Sequence, residues 1–202
     1  MTKMNKKTTD AQVENYKIQL EQSFDNGIDF KNRIIRVTGA IGDPGPLSGG
    51  KYFDFDIVDY ALTIMEAESN EDITIRINSG GGEVYEALAI IGRMKASKCV
   101  VNTEAFGHCM SAATLILMAG DYRKLSRYCV TMYHEIGYGV SGQHEDIKEQ
   151  VAQSDNEMKK LAKYYESFSN KKSAFWLGKM KKKEYYPTPE QMLEFKAVDE
   201  II

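Results

Sequence analysis

One stretch in the first half of the chain constrains the fold most, because the spacing of its apolar residues changes at a glycine triplet. Ile73, Ile75 and Ile77 alternate with polar residues, which is the period of a β-strand with one buried face. Three glycines at 80–82 are expected to break this strand. Over 84–94 apolar residues recur at helical spacing. The stretch therefore predicts a strand, a glycine turn and a helix in direct succession.

The same alternation continues on both sides of this unit. Further strand-like segments occur at 33–38, 99–103 and 127–133, and helix-like segments accompany them at 57–65 and 110–119. Strands and helices in this order predict βαβ units with right-handed crossovers. We therefore expect an α/β protein with a mostly parallel sheet.

Composition narrows the class of protein further. The chain has 202 residues and a formal net charge of −3, which argues against a protein that coats nucleic acid. Cys99, Cys109 and Cys129 show no paired spacing, so we predict no disulfide framework, no structural zinc site and no cofactor. The longest charge-free run, 105–120, is too short and polar for a membrane span, and no apolar stretch follows residues 1–12. A cytoplasmic protein with reduced thiols is expected.

The ends of the chain show different patterns. Residues 1–32 are polar and weakly patterned, and we interpret them as an N-terminal arm that precedes a single domain of residues 33–202. Near the C-terminus, Thr188 followed by Pro189 and Gln191 forms a capping box, which predicts the start of a helix. A short strand is expected to end the chain.

A long polar helix is predicted over about 143–170. Its apolar positions, with a serine that fills one gap, follow alternating steps of four and three residues, namely Ile147, Val151, Ser154, Met158, Leu161, Tyr165 and Phe168. So narrow a seam favours packing against another helix. An ordinary surface helix on its own domain is the alternative.

The glycine triplet is the first candidate for chemistry. Glycines between a strand and a helix can adopt positive φ and present their N–H groups to an anion or an oxyanion. The triplet at 80–82 is not a Walker A loop, since no Lys with Ser or Thr follows, and Tyr85 replaces the last glycine of a dinucleotide fingerprint. A plain tight turn is the alternative interpretation.

Ser111 and His134 are the candidates for nucleophilic catalysis. Ser111 begins an apolar helix, where it is either an ordinary N-cap or a nucleophile whose developing negative charge the helix dipole favours. His134 ends a predicted strand, and a neutral imidazole can take a serine proton near neutral pH; a histidine satisfied by nearby backbone is the alternative. His108 is a rival base three residues before Ser111, and His144 is expected to be solvated.

Together these segments resemble the ATP-dependent Clp protease proteolytic subunits in order and spacing. The resemblance extends from about Arg33 to the C-terminus, and in detail the chain is most similar to the Clp-protease-like proteins of phages and prophages. The segments that carry it are Asn78-Ser79-Gly80-Gly81-Gly82, Gly107-His108-Cys109-Met110-Ser111, Met132-Tyr133-His134 and Leu193-Glu194-Phe195-Lys196-Ala197-Val198-Asp199-Glu200-Ile201. Gly80 departs from the proline that the family usually has.

The resemblance implies an α/β fold of the Clp protease/crotonase-like type, a spiral of βαβ units with a long protruding handle helix. It implies Ser111 as nucleophile and His134 as general base, with the backbone N–H groups of Gly81 and Ala112 as the oxyanion hole. The third triad position, counted back from the C-terminal motif, falls on Glu184, where the family usually has aspartate.

The resemblance also implies the substrate and the assembly. Gly82, Glu135, Ile136 and Gly137 would line a groove in which an extended peptide adds as a strand. The subunits would form a homo-oligomer of two stacked seven-membered rings, a tetradecamer that encloses unfolded polypeptide or peptide substrates. A separate AAA+ unfoldase ATPase is a possible partner, whereas nucleic acid, a membrane and a metal are not expected.

Three other functions are compatible with the same residues. A phage-type member would cleave capsid or scaffold proteins during head maturation. A catalytically weak or inactive ring component would use the fold for interaction, and the replacement of aspartate by Glu184 keeps this hypothesis open. Acyl-CoA chemistry on the related crotonase-like fold would need Gly81 but neither Ser111 nor His134, so this alternative explains fewer of the residues.

Overall fold

The structure is a computed structural model that describes residues 27–42, 52–137, 139, 141–181 and 184–202. Its strands are β1 (Ile28–Asp29), β2 (Ile34–Ile41), β3 (Tyr52–Phe53), β4 (Ile73–Gly82), β5 (Val101–Met110), β6 (Arg123–Leu125), β7 (Val130–Met132) and β8 (Glu200–Ile201). Its helices are α1 (Phe55–Glu68), α2 (Val84–Lys95), α3 (Ala112–Ala119), α4 (His144–Ser167), α5 (Ser173–Met180) and α6 (Pro189–Glu194).

The described strands form one mostly parallel sheet, as the sequence predicts. The order is β1-β2-β4-β5-β6-β8, with β3 beside β2 and β7 beside β5. Only β1 pairs in the antiparallel sense among these named pairs. Because β5 pairs with both β6 and β7, its C-terminal end lies next to β7. This arrangement brings the ends of β4, β5 and β7 to one place.

The glycine triplet does not break its strand, so that prediction was wrong. Strand β4 continues through residues 80–82, and Gly82 pairs with Ile41 of β2. A Cβ atom on Gly82 would lie 2.1 Å from the carbonyl oxygen of Ile41, and φ of Gly82 is +153°. The missing side chain therefore allows a close approach of two backbones instead of ending the strand.

Other boundaries differ from those predicted. Strand β5 continues to Met110 instead of ending at 103, and the strand predicted at 127–133 is reduced to β7. Neither β6 nor α5 was predicted, because each is short and carries no clear apolar period. The capping box at Thr188 is confirmed, since its hydroxyl accepts from Gln191 N–H and Gln191 Oε1 accepts from Thr188 N–H.

Part of the predicted N-terminal arm packs onto the sheet. Ile28 pairs with Ile35, and both Ile28 and Phe30 are buried. Residues 1–26 lie outside the described part of the chain. The structure thus places Ile28 and Phe30 in the core, and the domain boundary at 32 stays a prediction.

Helix α4 has one buried half and one exposed half. Met158, Leu161 and Tyr165 are buried, and Tyr165 contacts the rings of Tyr133 and Trp176. Over 144–153 every residue is exposed apart from Ile147, which is half-buried. The first half of the predicted seam thus projects from the domain, whereas the second half packs against the core. No described helix is long and apolar enough to cross a bilayer.

Candidate active site

Ser111 lies at the junction between β5 and α3. All eight residues of α3 are buried, so the helix is fixed in the core and its N-terminus is fixed with it. Ser111 has φ 52° and ψ −127°, a conformation that residues with a Cβ rarely adopt. Its side chain makes no capping hydrogen bond to the helix. The alternative of an ordinary N-cap therefore has no support in this geometry, and the hydroxyl is directed elsewhere.

The hydroxyl of Ser111 contacts the imidazole of His134. The Oγ–Nε2 distance is 2.7 Å. The two residues are brought together by the pairing of β5 with β7, because Ser111 N–H donates to the carbonyl of Met132 at 2.8 Å and His134 follows two residues later. Both side chains are half-buried. This is the contact that a serine nucleophile and its general base require.

The glycine loop packs directly against Ser111. A Cβ atom on Gly81 would lie 2.7 Å from both Ser111 Cβ and Met110 O, and φ of Gly81 is +97°. Ala112 N would lie 3.0 Å from the same point. Because the first N–H groups of a helix have no acceptor within it, Ala112 can offer a donor beside Ser111. The Gly81 N–H, by contrast, donates to Ser79 Oγ at 3.1 Å.

Ser79 was not predicted as part of the site. Its buried hydroxyl donates to the carbonyl of Gly39 at 2.6 Å and accepts from Gly81 N–H, so it attaches the glycine loop to β2. A buried serine beside a glycine triplet was the signal that could have identified it.

The backbone of Glu184 lies beside that of His134, but the Glu184 carboxylate has another partner. Tyr133 and Tyr185 form an antiparallel bridge, and these are the residues next to His134 and Glu184. The exposed Glu184 carboxylate accepts a hydrogen bond from Tyr186 Oη at 2.7 Å. The structure therefore brings the two backbones together, and the described hydrogen bond of Glu184 goes to Tyr186.

The other two histidines lie apart from this contact. The backbone N–H of His108 donates to Asn78 Oδ1, which holds the bend of β5 at Gly107. The His144 side chain is 79% exposed and lies 3.9 Å from Glu145, as expected for a solvated residue. Of the three histidines, His134 has the described contact with Ser111.

A cavity of about 820 Å³ opens beside Ser111 and His134. The predicted groove residues Gly82, Glu135, Ile136 and Gly137 all line it. The far wall is formed by α2 and α4, where Tyr85 Oη donates to the Glu157 carboxylate at 2.5 Å. The apolar part of the lining includes Val84, Leu88, Leu115, Met132 and Leu161. The cavity is large enough for several residues of an extended peptide.

The sequence also missed a buried hydroxyl pair beneath Ser111. Thr114 Oγ1 lies 2.6 Å from the carbonyl oxygen of Ser111 and 2.9 Å from Tyr165 Oη. The position of Thr114 three residues after Ser111 was the available signal, because such a hydroxyl can bond back to a carbonyl one turn earlier. The contribution of Tyr165 required the tertiary structure.

The three cysteines are free and buried. Burial raises the pKa of the Cys109 thiol well above its ordinary value and that of Cys129 to about 12. Both thiols therefore stay protonated near neutral pH and are poor nucleophiles. Within the described residues, no group of His, Cys, Asp and Glu could hold a metal ion.

Comparison with known proteins gives consistent matches over most of the chain. A family model described as Clp protease matches residues 51–202. The ATP-dependent Clp protease proteolytic subunit of Borreliella afzelii is 30% identical over 179 residues, which cover 86% of this chain and 84% of that protein. The matched region contains the glycine loop, Ser111 and His134.

Two further relatives agree with this match. The ATP-dependent Clp protease proteolytic subunit 1 of Rhodopirellula baltica is 29% identical over 178 residues, which cover 86% of this chain and 73% of that protein. The proteolytic subunit of Carsonella ruddii is 26% identical over 178 residues, which cover 86% of this chain and 85% of that protein. The similarity is thus low in identity and extends over most of each chain.

Proposed function

The chain belongs to the Clp protease family, and we propose that it is a serine endopeptidase that hydrolyses peptide bonds of unfolded proteins or peptides. The observation that carries the proposal is the 2.7 Å contact between Ser111 Oγ and His134 Nε2 at the edge of a peptide-sized cavity. In the proposed reaction, His134 takes the proton of Ser111 as Oγ attacks the substrate carbonyl. His134 then returns the proton to the leaving amine.

The negative oxygen of the tetrahedral intermediate would lie between the glycine loop and the N-terminus of α3. Ala112 supplies an N–H at the positive end of the helix dipole. Gly81 supplies the second N–H if it exchanges Ser79 Oγ for the substrate oxygen, and the close packing of Gly81 on Ser111 supports this role. Both donors belong to backbone that the core holds in place.

Glu184 is proposed as the third member of the triad. A carboxylate there would hold the imidazole of His134 in one tautomer and stabilise the imidazolium. The bridge between Tyr133 and Tyr185 supports this role, because it sets the two backbones side by side. Glu184 would have to exchange its contact with Tyr186 for one with His134.

The segment after His134 is proposed to bind the substrate as an added strand. Glu135 and Gly137 are exposed beside the cavity. Within the described part of the chain, the N–H of Ile136 donates to the sulfur of Met158 at 3.3 Å, and a thioether is a weak acceptor. A substrate carbonyl could replace that sulfur, which would give binding through the backbone with little dependence on sequence.

The proposed assembly consists of two stacked seven-membered rings and works with a separate ATPase. The relatives named above are ATP-dependent proteolytic subunits, and the exposed half of α4 presents Val151, which is 44% exposed, with Ile147 on the same side. An apolar stripe on a projecting helix is the kind of surface that pairs with a second copy. Enclosure would restrict hydrolysis to unfolded chains.

A catalytically weak ring component is the second candidate. The contact between Glu184 and Tyr186 favours it, since a carboxylate held by a tyrosine does not orient His134. Such a protein would keep the contact of Ser111 with His134 but react slowly.

Reaction with a fluorophosphonate probe tests the proposal. The probe forms a covalent bond to an activated serine, and labelling is compared between the wild type, Ser111→Ala and His134→Ala. We expect strong labelling of the wild type and none of Ser111→Ala, with His134→Ala labelled slowly. Persistent labelling of Ser111→Ala would remove the proposed nucleophile. A wild type that stays unlabelled would favour the weak ring component.

A further inference from the structure

The backbone of Ser111 is held in an unfavourable conformation by hydrogen bonds at both of its peptide groups. Its φ of 52° lies in the left-handed region that a residue with a Cβ avoids. On one side Ser111 N–H donates to the carbonyl of Met132 at 2.8 Å. On the other side the Ser111 carbonyl accepts from Thr114 N–H at 3.0 Å and from Thr114 Oγ1 at 2.6 Å. Such strain persists only where the surroundings enforce it.

The direction of the hydroxyl chain follows from the number of protons available. A carbonyl oxygen only accepts, so the single hydroxyl proton of Thr114 is used on Ser111. The hydroxyl of Tyr165, 2.9 Å away, must then donate to Thr114 Oγ1. Both residues are almost completely buried, and burial raises the pKa of Tyr165 so that its proton is retained. The chain therefore runs from Tyr165 through Thr114 to the carbonyl of Ser111.

The same tyrosine also contacts the segment that carries the base. The Tyr165 ring packs edge-on against Tyr133, with ring centres 5.1 Å apart, and Tyr133 directly precedes His134. Tyr165 belongs to the buried half of α4, the helix whose other half projects from the domain. Tyr165 thus contacts both Thr114, which bonds to the carbonyl of Ser111, and Tyr133, which precedes His134.

We propose that Thr114 and Tyr165 are positioning residues that hold Ser111 in its strained conformation and so direct its Oγ at His134. This inference rests on the proposed function, since it assigns these two residues to the same peptidase site. Loss of the Thr114 hydroxyl removes the side-chain bond to the Ser111 carbonyl and leaves the Tyr165 proton without its acceptor. Ser111 can then relax towards negative φ, which moves its hydroxyl away from the base.

A second buried threonine provides a matched control. Thr103 is as buried as Thr114, and its Oγ1 donates to the carbonyl of Leu117 at 2.7 Å. Thr103→Val therefore removes a hydroxyl–carbonyl bond of the same kind near the other end of α3. Thr114→Ser keeps the hydroxyl of Thr114 and removes only its methyl group.

The experiment compares Thr114→Val, Thr114→Ser, Tyr165→Phe and Thr103→Val for the rate constant of fluorophosphonate labelling and for kcat and KM on a fluorogenic peptide. For Thr114→Val we expect about tenfold losses in labelling rate and kcat, with KM changed less than about twofold, because one hydrogen bond is lost from the reacting conformation. Tyr165→Phe should show a smaller loss in the same direction. Thr114→Ser should restore most of the rate.

The two proposals fail in distinguishable ways. A wild type that is labelled, with Thr114→Val labelled equally fast, would overturn the positioning role alone, as would equal losses in Thr103→Val and Thr114→Val. A crystal structure of Thr114→Val supplies a readout that needs no activity. We expect φ of Ser111 to turn negative, and an unchanged conformation with Oγ still on His134 would contradict the inference even in an inactive protein.

Discussion

Tyr133 and Tyr185 exchange both backbone hydrogen bonds of an antiparallel bridge, at 2.9 and 2.8 Å. In such a pair, the next residue of one strand faces the preceding residue of the other. His134 and Glu184 are those two residues. A long-range backbone contact between segments about fifty residues apart thus sets the backbone of Glu184 opposite that of His134.

Replacement of Glu184 tests its role as the acid of the triad. Glu184→Gln keeps the size but loses the charge that would stabilise the imidazolium, so we expect kcat to fall by at least about tenfold with little change in KM. Glu71→Gln, an exposed glutamate just before β4 and at the opposite end of that strand from the site, is the matched control and should change kcat far less. The measurement is steady-state hydrolysis of a fluorogenic peptide. Equal activity of Glu184→Gln and wild type would exclude the role.

Replacement of Gly81 tests the close packing of the glycine loop on Ser111. In Gly81→Ala the new Cβ would meet Ser111 Cβ and Met110 O at 2.7 Å, and φ of +97° is unfavourable for alanine. We expect labelling of Ser111 to slow by about 100-fold or more, as for the loss of an oxyanion donor.

Gly80→Ala is the control for this change. No atom lies within 4 Å of a Cβ at Gly80, so its labelling rate should stay within about threefold of the wild type. Circular dichroism and thermal unfolding establish whether each variant folds. A Gly81→Ala protein that folds and reacts as fast as Gly80→Ala would show that the close contact has no part in catalysis.

Substitution on the projecting half of α4 tests the assembly. Val151→Asp places a charge on the apolar stripe, and we expect the assembly to dissociate into smaller species, because burial of an unpaired carboxylate is unfavourable. Asn156→Asp makes the same change of charge on the opposite side of the helix, where it should leave the mass unchanged. Analytical ultracentrifugation gives the mass of each variant. A wild type that is a stable monomer would contradict the proposed rings.

Acid should weaken the ion pair between Arg123 and Asp199. Hydrogen bonds from the Arg123 side chain, at 2.7 and 2.9 Å, lower the pKa of Asp199 below its ordinary value. A carboxyl group with a lowered folded-state pKa stabilises the protein above its unfolded-state pKa, about 3.9, and loses this effect as pH falls through the folded-state value.

The test compares wild type with Asp199→Asn by urea unfolding at pH 7 and pH 3. The variant should be less stable than the wild type at pH 7, and the difference should shrink at pH 3, where Asp199 approaches protonation. A difference that is the same at both pH values would show that the charge of Asp199 contributes nothing.

The sequence by itself determined the parallel α/β sheet, α2, α4 and the capping box, and it identified Ser111 and His134 as candidates whose pairing the resemblance to the family implied. These features follow from the spacing of apolar residues within short segments and from the spacing of motifs along the sequence. The sequence did not reveal that β4 runs through its glycines, because that depends on the close approach of Ile41 in a strand about forty residues earlier.

Only the tertiary structure showed which partners the site residues use. Tyr165 donates to Thr114, which lies 51 positions earlier in the chain. The Glu184 carboxylate accepts from Tyr186, although the resemblance to the family implies a contact with His134. Hydrogen bonds of this kind depend on how helices and strands pack, and no local period encodes that packing. The sequence could therefore identify Ser111 and His134 as candidate site residues. Their orientation and the strain at Ser111 were set by the packed core.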